Sequence, residues 1–282
     1  MDPSEPRRET ARAETFGQAA QSVLEARIHP RVAADLAVDL YSREFAGPLR
    51  ARTRDLSVNG ACVATPSIVS ARSIDQIVLH FDRESIRIHV EGRWQSDSPS
   101  EGSVLVGLAF DQLDNATSGR LWNFVQSTGS SLAQFLSQCA TFGEFSSDEL
   151  ISIAYMSRFQ RLQSGRTIYM PSFRDTDSIF IVWEGQVGLH LRLRQGEELT
   201  LCRLGPGGLF GGLPLIANMP NLEMATAASN LRLLEISRGP FSYARLAKPI
   251  LAQRLTQVVA RGYAERVGQL LKLLASRGHV DL

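Results

Sequence analysis

The sequence predicts a mainly β protein with flanking helices (an α+β arrangement): two strand-rich regions, a helical stretch between them and a helical end. Three observations predict it. Six short apolar runs, each bounded by Gly, Pro, Ser or Asp, lie between Val32 and Phe110. At Asn115 the apolar spacing changes from that of strands to that of helices. A second series of strand-like runs extends from Thr167 to Ser237, and the chain then reads as helix.

In order, residues 1–22 form a polar tail with Pro3, Pro6 and charges of both signs. The six runs are VAADLAVDLY, LRARTRDLS, GACVAT, IDQIVLHF, SIRIHVEGRWQ and SVLVGLAF, sufficient for a small barrel or sandwich. In SIRIHVEG, Ile86, Ile88 and Val90 alternate with Arg87, His89 and Glu91, which is the pattern of a half-buried strand. Arg50, Arg52 and Arg54 read as a solvated face, and Trp94 and Trp122 as core. LWNFVQ and SSLAQFLSQCATF are helical, with a break at Ser127-Thr128-Gly129-Ser130. A domain boundary placed there gives domains at 23–127 and 128–282. SSDELISIAYM opens with a serine cap and acidic residues, as a helix start should. TIYM, SIFIVWEG, QVGLHLRLR, ELTLCRL, EMATAAS and LRLLEIS are the later strands. The terminal helical region carries a stripe of Leu251, Leu255, Val258, Tyr263, Val267, Leu270 and Leu274, interrupted at Gly262. That stripe reads equally as packing on its own domain or as the seam of a homodimer.

Composition narrows the function. The chain has 282 residues with 30 Lys and Arg against 29 Asp and Glu, a formal net charge of +1, which disfavours bulk electrostatic binding to nucleic acid. Cys62, Cys139 and Cys202 show no C-x-x-C spacing, so neither a disulfide scaffold nor a cysteine zinc site is expected. The histidines never pair at helical ligand spacing, and no metal or cofactor is expected. No apolar run approaches the ~18 residues of a spanning helix. A cytoplasmic protein is the expectation. No nucleophile-and-base pair, metal cluster or phosphate loop points to an enzyme.

Two constellations carry chemistry. Arg27 and Arg31 flank Pro30 on a non-helical arm, and Asp55-Leu56-Ser57-Val58-Asn59-Gly60 follows. Asp55 and Ser57 share one face of a strand, and Gly60 permits a tight turn or close backbone approach. Guanidinium forks suit phosphate and the O6/N7 edge of guanine, and a carboxylate accepts from guanine N–H groups. R-x-x-x-R followed by D-x-S-x-x-G, heading a six-strand region that closes in VGLAF, resembles a PilZ domain over roughly residues 24–126. The resemblance implies a six-stranded antiparallel barrel that binds cyclic di-GMP through Arg27, Arg31, Asp55, Ser57 and Gly60, with Asn59 and Gly107 as lesser candidates.

The second region resembles a cyclic-nucleotide-binding domain, carried by SSDELISIAYMSRFQRLQSGRTIYMP, the strands after it, and glycines at 165, 185, 205, 207 and 211. The resemblance implies a jelly-roll with helices and a phosphate cassette written F-G-E, then P-R-x-A. Here the cassette reads Phe210-Gly211-Gly212-Leu213 and Pro220-Asn221-Leu222-Glu223. Gly212 stands at the glutamate position, Asn221 at the arginine position and Glu223 where a small residue belongs. A lost charge-assisted contact to phosphate is worth ~1.5–3 kcal/mol. The cassette is therefore expected not to hold cAMP or cGMP in the usual way. Only about 40 residues follow Ser242, too few for a helix-turn-helix module beside the terminal helix. The combined reading is a second-messenger receptor that signals to a downstream protein. The alternative is a dual receptor in which cAMP controls the response to cyclic di-GMP.

Overall fold

The computed structural model describes residues 30–44, 46–66, 69–98, 103–171, 177–192 and 198–276. The first region is the expected closed six-stranded antiparallel barrel. Its strands are β2 (Ala37–Ser42), β3 (Leu49–Ser57), β4 (Gly60–Thr65), β5 (Ile74–His80), β6 (Ser85–Ser98) and β7 (Ser103–Asp111). The order is β3-β2-β5-β6-β7-β4, and β4 pairs back onto β3. The run VAADLAVDLY does not form one strand. A two-residue strand β1 (Val32–Ala33) pairs with β3 at Leu56 and Asp55, and the chain bends before β2 pairs lower on β3. The Thr53 hydroxyl holds the bend, donating to the Ala34 carbonyl at 2.7 Å and accepting from the Leu36 amide at 2.8 Å. In β6, Ile86, Ile88 and Val90 are buried, and Arg87, His89 and Glu91 exposed, as the alternation requires.

Helix α1 (Asn115–Ser137) leaves the barrel and runs without a break through Ser127–Ser130. Ser127 and Ser131 return their hydroxyls to carbonyls one turn back, and Gly129 lets Tyr155 pack against the helix, where a Cβ would lie 2.6 Å from that ring. Helix α2 (Ser147–Met156) starts on a complete capping box between Ser146 and Glu149.

The second region is a β-roll of two four-stranded sheets. One runs β13 (Leu209–Gly211), β10 (Ser178–Glu184), β15 (Leu231–Ser237), β8 (Arg158–Leu162). The other runs β12 (Glu198–Leu204), β11 (Val187–Arg192), β14 (Met224–Ala227), β9 (Thr167–Tyr169). Helix α3 (Leu213–Ile216) follows β13, and α4 (Arg238–Ala247) and α5 (Pro249–Ser276) close the chain. Leu251, Leu255, Val259 and Tyr263 bury one side of α5 in the core. The stripe then continues through Arg266, not Val267, which is 46% exposed. Val32 and Ala33 of the barrel lie in the same buried cluster as Phe142, Phe159 and Ile153. Apolar packing therefore joins the two regions directly beside Arg31.

Candidate functional site

The outer face of β3 is the centre of the molecule's polar chemistry. Its pairing with β4 shifts register between Thr53 and Asp55. The extra residue puts Arg54 and Asp55 on the same side of the strand, which strict alternation forbids. Leu56 points into the barrel core, while Arg54 and Asp55 both reach partners in the β-roll. Asp55 is 1% exposed. Its Oδ1 accepts from Arg31 Nη1 at 2.7 Å, and its Oδ2 lies 3.0 Å from Arg158 Nε of β8 without hydrogen-bond alignment. The two arginine side chains keep 30% and 21% exposure, so the carboxylate is the floor of the site and the guanidinium groups its rim. Across the β3–β4 pair, burial and then the Asp55 charge push the Cys62 thiol up to about 12, leaving it protonated at neutral pH.

The hairpin turn after Asp55 is held locally. Ser57 donates to the Gly60 carbonyl at 3.1 Å and accepts from the Asn59 amide at 3.3 Å. Gly60 is required by crowding: a Cβ there would lie 2.3 Å from the Leu108 carbonyl oxygen. The structure thus brings Arg31, Asp55, Ser57 and Gly60 to one end of the barrel, with Asn59 exposed at the turn. Arg27 lies outside the described residues. Gly107 pairs with Cys62 one strand over, and the indole of Trp94 fills the space a Cβ would need, 2.1 Å from Nε1. Trp94 and Trp122 are 42% and 38% exposed, so neither is a core residue; Trp94 lies along the outside of the barrel over that glycine.

Arg50, Arg52 and Arg54 are not a uniformly solvated face. Arg50 is exposed, Arg52 is half-buried and Arg54 is buried. Arg54 donates from Nε to the Phe159 carbonyl at 2.7 Å and from Nη2 to Glu235 at 2.5 Å. Burial alone would raise the Glu235 pKa, but Arg54, Ser178 and Arg158 outweigh it and hold the group below its ordinary range. The stabilisation is present at neutral pH and is lost only as pH falls through that depressed value. Asp35 is a second meeting point, with Arg52 of the barrel and Arg161 and Arg232 of the β-roll on one carboxylate. Arg161 and Arg232 are direct cross-strand neighbours, a like-charge pairing that Asp35 makes tolerable. Between the regions lies a groove of 720 Å³, bordered by Arg50, Arg52, Arg54, Phe159 and Arg161.

The cassette of the β-roll is closed from within. Phe210 is a buried core ring 5.2 Å from Phe180. Gly211 and Gly212 adopt φ values of +71° and +93°, and a Cβ on Gly212 would lie 2.9 Å from Ile179 and 3.2 Å from Val259. A glutamate at 212 would thus be both strained and crowded by α5. Helix α3 begins at Leu213, and Pro214 removes one of its N–H groups from the cradle. Asn221 and Glu223 are buried at 1% and 2% exposure. Tyr263 donates to Asn221 Oδ1 and Tyr169 to Glu223 Oε1, each at 3.1 Å. Burial and then the Glu223 charge raise both tyrosine pKa values, keeping them donors. Arg266 of α5 lies 3.6 Å from Glu223 and 4.2 Å from the Tyr263 ring centroid. Glu223 therefore has a cation of its own.

Among the described residues there is no group of three or more His, Cys, Asp or Glu poised for a metal, and no helix long and apolar enough to cross a membrane. Sequence comparison matches residues 25–127 to the PilZ domain and residues 159–244 to the cyclic nucleotide-binding domain. The chain joins a PilZ domain to a cyclic nucleotide-binding domain. Both kinds of domain bind ligands and regulate; neither is catalytic. The Cyclic AMP receptor protein of Thermus thermophilus is 31% identical over 88 residues, 31% of this chain and 41% of that protein. A CRP-like cAMP-activated global transcriptional regulator of Mycobacterium tuberculosis is 27% identical over 85 residues, 30% of this chain and 38% of that one. The chain thus spans about two fifths of the length of these relatives. The crystal structure of the Thermus thermophilus Catabolite Activator Protein aligns with a TM-score of 0.41 at 26% identity, covering 48% of this chain and 62% of that chain.

Proposed function

We propose that the chain is a receptor for cyclic di-GMP, without catalytic activity, in which the PilZ domain takes the ligand. The cyclic nucleotide-binding domain then acts as relay or scaffold toward a downstream protein. One observation carries this reading: Arg31, Asp55, Ser57 and Gly60 converge at one end of the barrel, and the same carboxylate touches Arg158 of the β-roll. For the ligand to use Arg31 and Asp55, their mutual pair must open, and that disturbs the contact with the second domain. Binding and inter-domain geometry are then two faces of one equilibrium.

The β-roll is read as no receptor for cAMP or cGMP because Gly212 offers no acceptor, Asn221 no charge, and Glu223 is committed to Arg266. Thermal unfolding of the full chain tests both halves. At about 100 times its dissociation constant, cyclic di-GMP should add ~2.7 kcal/mol of stability, several degrees in a chain of this size. The same concentrations of cAMP or cGMP should produce no shift. No shift with cyclic di-GMP would refute the receptor reading, and stabilisation by cAMP would refute the reading of the β-roll.

A further inference from the structure

We propose that Arg158, contributed by the β-roll, is a ligand-binding residue of the site at Asp55, so that the site is assembled from both domains; this rests on the cyclic di-GMP reading above. The first argument is charge. Three guanidinium groups, of Arg31, Arg54 and Arg158, face two carboxylates, of Asp55 and Glu235. The cluster carries one surplus positive charge, and an anion entering beside Asp55 meets it.

The second argument is which arginine is uncommitted. Each guanidinium has five N–H donors in a planar fork. Arg54 is 5% exposed, and its hydrogen bonds to Phe159 and Glu235 make it part of the interface. Arg158 differs in both respects. It keeps 21% side-chain exposure, and its fork makes no hydrogen bond among the described residues. Among the described residues its one short contact, to Asp55 Oδ2, is an ion pair lacking alignment, and that oxygen accepts no hydrogen bond from them. A misaligned pair whose guanidinium is part-exposed is readily exchanged for a bidentate contact to a phosphodiester.

The third argument is placement. Arg158 opens β8, directly opposite Glu235 on β15, and Phe159 beside it accepts from Arg54. A phosphate drawn onto Arg158 therefore pulls on the strand that holds the two domains together. A receptor whose second domain supplies a ligand contact needs no separate relay.

The test is calorimetric titration of the full chain with cyclic di-GMP, comparing wild type with Arg158→Ala, Arg158→Lys and Arg120→Ala. Arg120, exposed on α1, pairs with Glu84 in the turn between β5 and β6 and serves as a charge-matched control. Arg158→Ala should weaken binding at least tenfold and flatten the dependence of affinity on salt. Arg158→Lys should fall between it and wild type, and Arg120→Ala should match wild type. Should alanine prevent folding, Arg158→Gln keeps a donor for Asp55 without the charge and should show the same loss. Equal or tighter binding by a folded Arg158→Ala or Arg158→Gln protein, with wild type binding normally, overturns this inference alone. No binding by wild type overturns the receptor reading and this inference with it.

Discussion

Arg31→Ala is expected to abolish measurable cyclic di-GMP binding while the protein still folds. The side chain is part-exposed and contributes one good contact, to Asp55 Oδ1 at 2.7 Å. Its loss leaves Asp55 with Arg158 as counter-charge, so the buried carboxylate keeps a cationic neighbour. On the ligand side the loss is larger. A charge-assisted hydrogen bond is worth ~1.5–3 kcal/mol and a bidentate one more, so a guanidinium serving both phosphate and guanine accounts for several decades of affinity. Arg31→Lys separates charge from geometry, since it can neutralise Asp55 but cannot form the planar fork. It should restore stability and recover little binding. Unchanged affinity in a folded Arg31→Ala protein would remove this arm from the ligand clamp.

Arg266→Ala is expected to destabilise the protein by about 3–5 kcal/mol, read as a lower urea midpoint. The substitution leaves Glu223 charged, 2% exposed and without its cation. Tyr169 still donates to it, but a neutral donor does not replace a guanidinium in a medium this dry. The pair is loose at 3.6 Å, and Arg266 Nε and Nη2 and Asn221 Nδ2 find no hydrogen bond among the described residues, so the network is only partly satisfied there. Combining Arg266→Met with Glu223→Gln removes both charges and should cost far less than the single change. Equal stability of Arg266→Ala and wild type would mean that the Arg266–Glu223 pair contributes nothing and that α5 is held by apolar packing alone.

Local chemistry was legible in the residues. LRLLEIS occupies β15 from Leu231 to Ser237, the Ser146 cap closes its box, and Ile86, Ile88 and Val90 face inward. The D-x-S-x-x-G motif was also visible, because Asp55, Ser57 and Gly60 lie within one hairpin. Features that depend on distant partners were not. Arg54 lies 181 residues from Glu235, and Arg161 lies 126 from Asp35. Period counting put Arg54 on a solvated face because a bulge leaves no mark in composition. It put a break at Ser127–Ser130 because serine and glycine are weak helix formers, whereas packing on Tyr155 decides the matter. Period counting carries the α5 stripe through Val258 and Val267, because a buried arginine looks like a surface residue until its carboxylate is found.

Hydrogen exchange along the full chain, with and without saturating cyclic di-GMP, tests most directly whether the PilZ site is coupled to the β-roll. Arg158–Leu162 of β8 and Leu231–Ser237 of β15 should change protection together with Leu49–Ser57 of β3, because Arg54, Asp55, Arg158 and Glu235 share one network. Changes confined to residues 30–111, with β8 and β15 exchanging as in the free protein, would contradict the account.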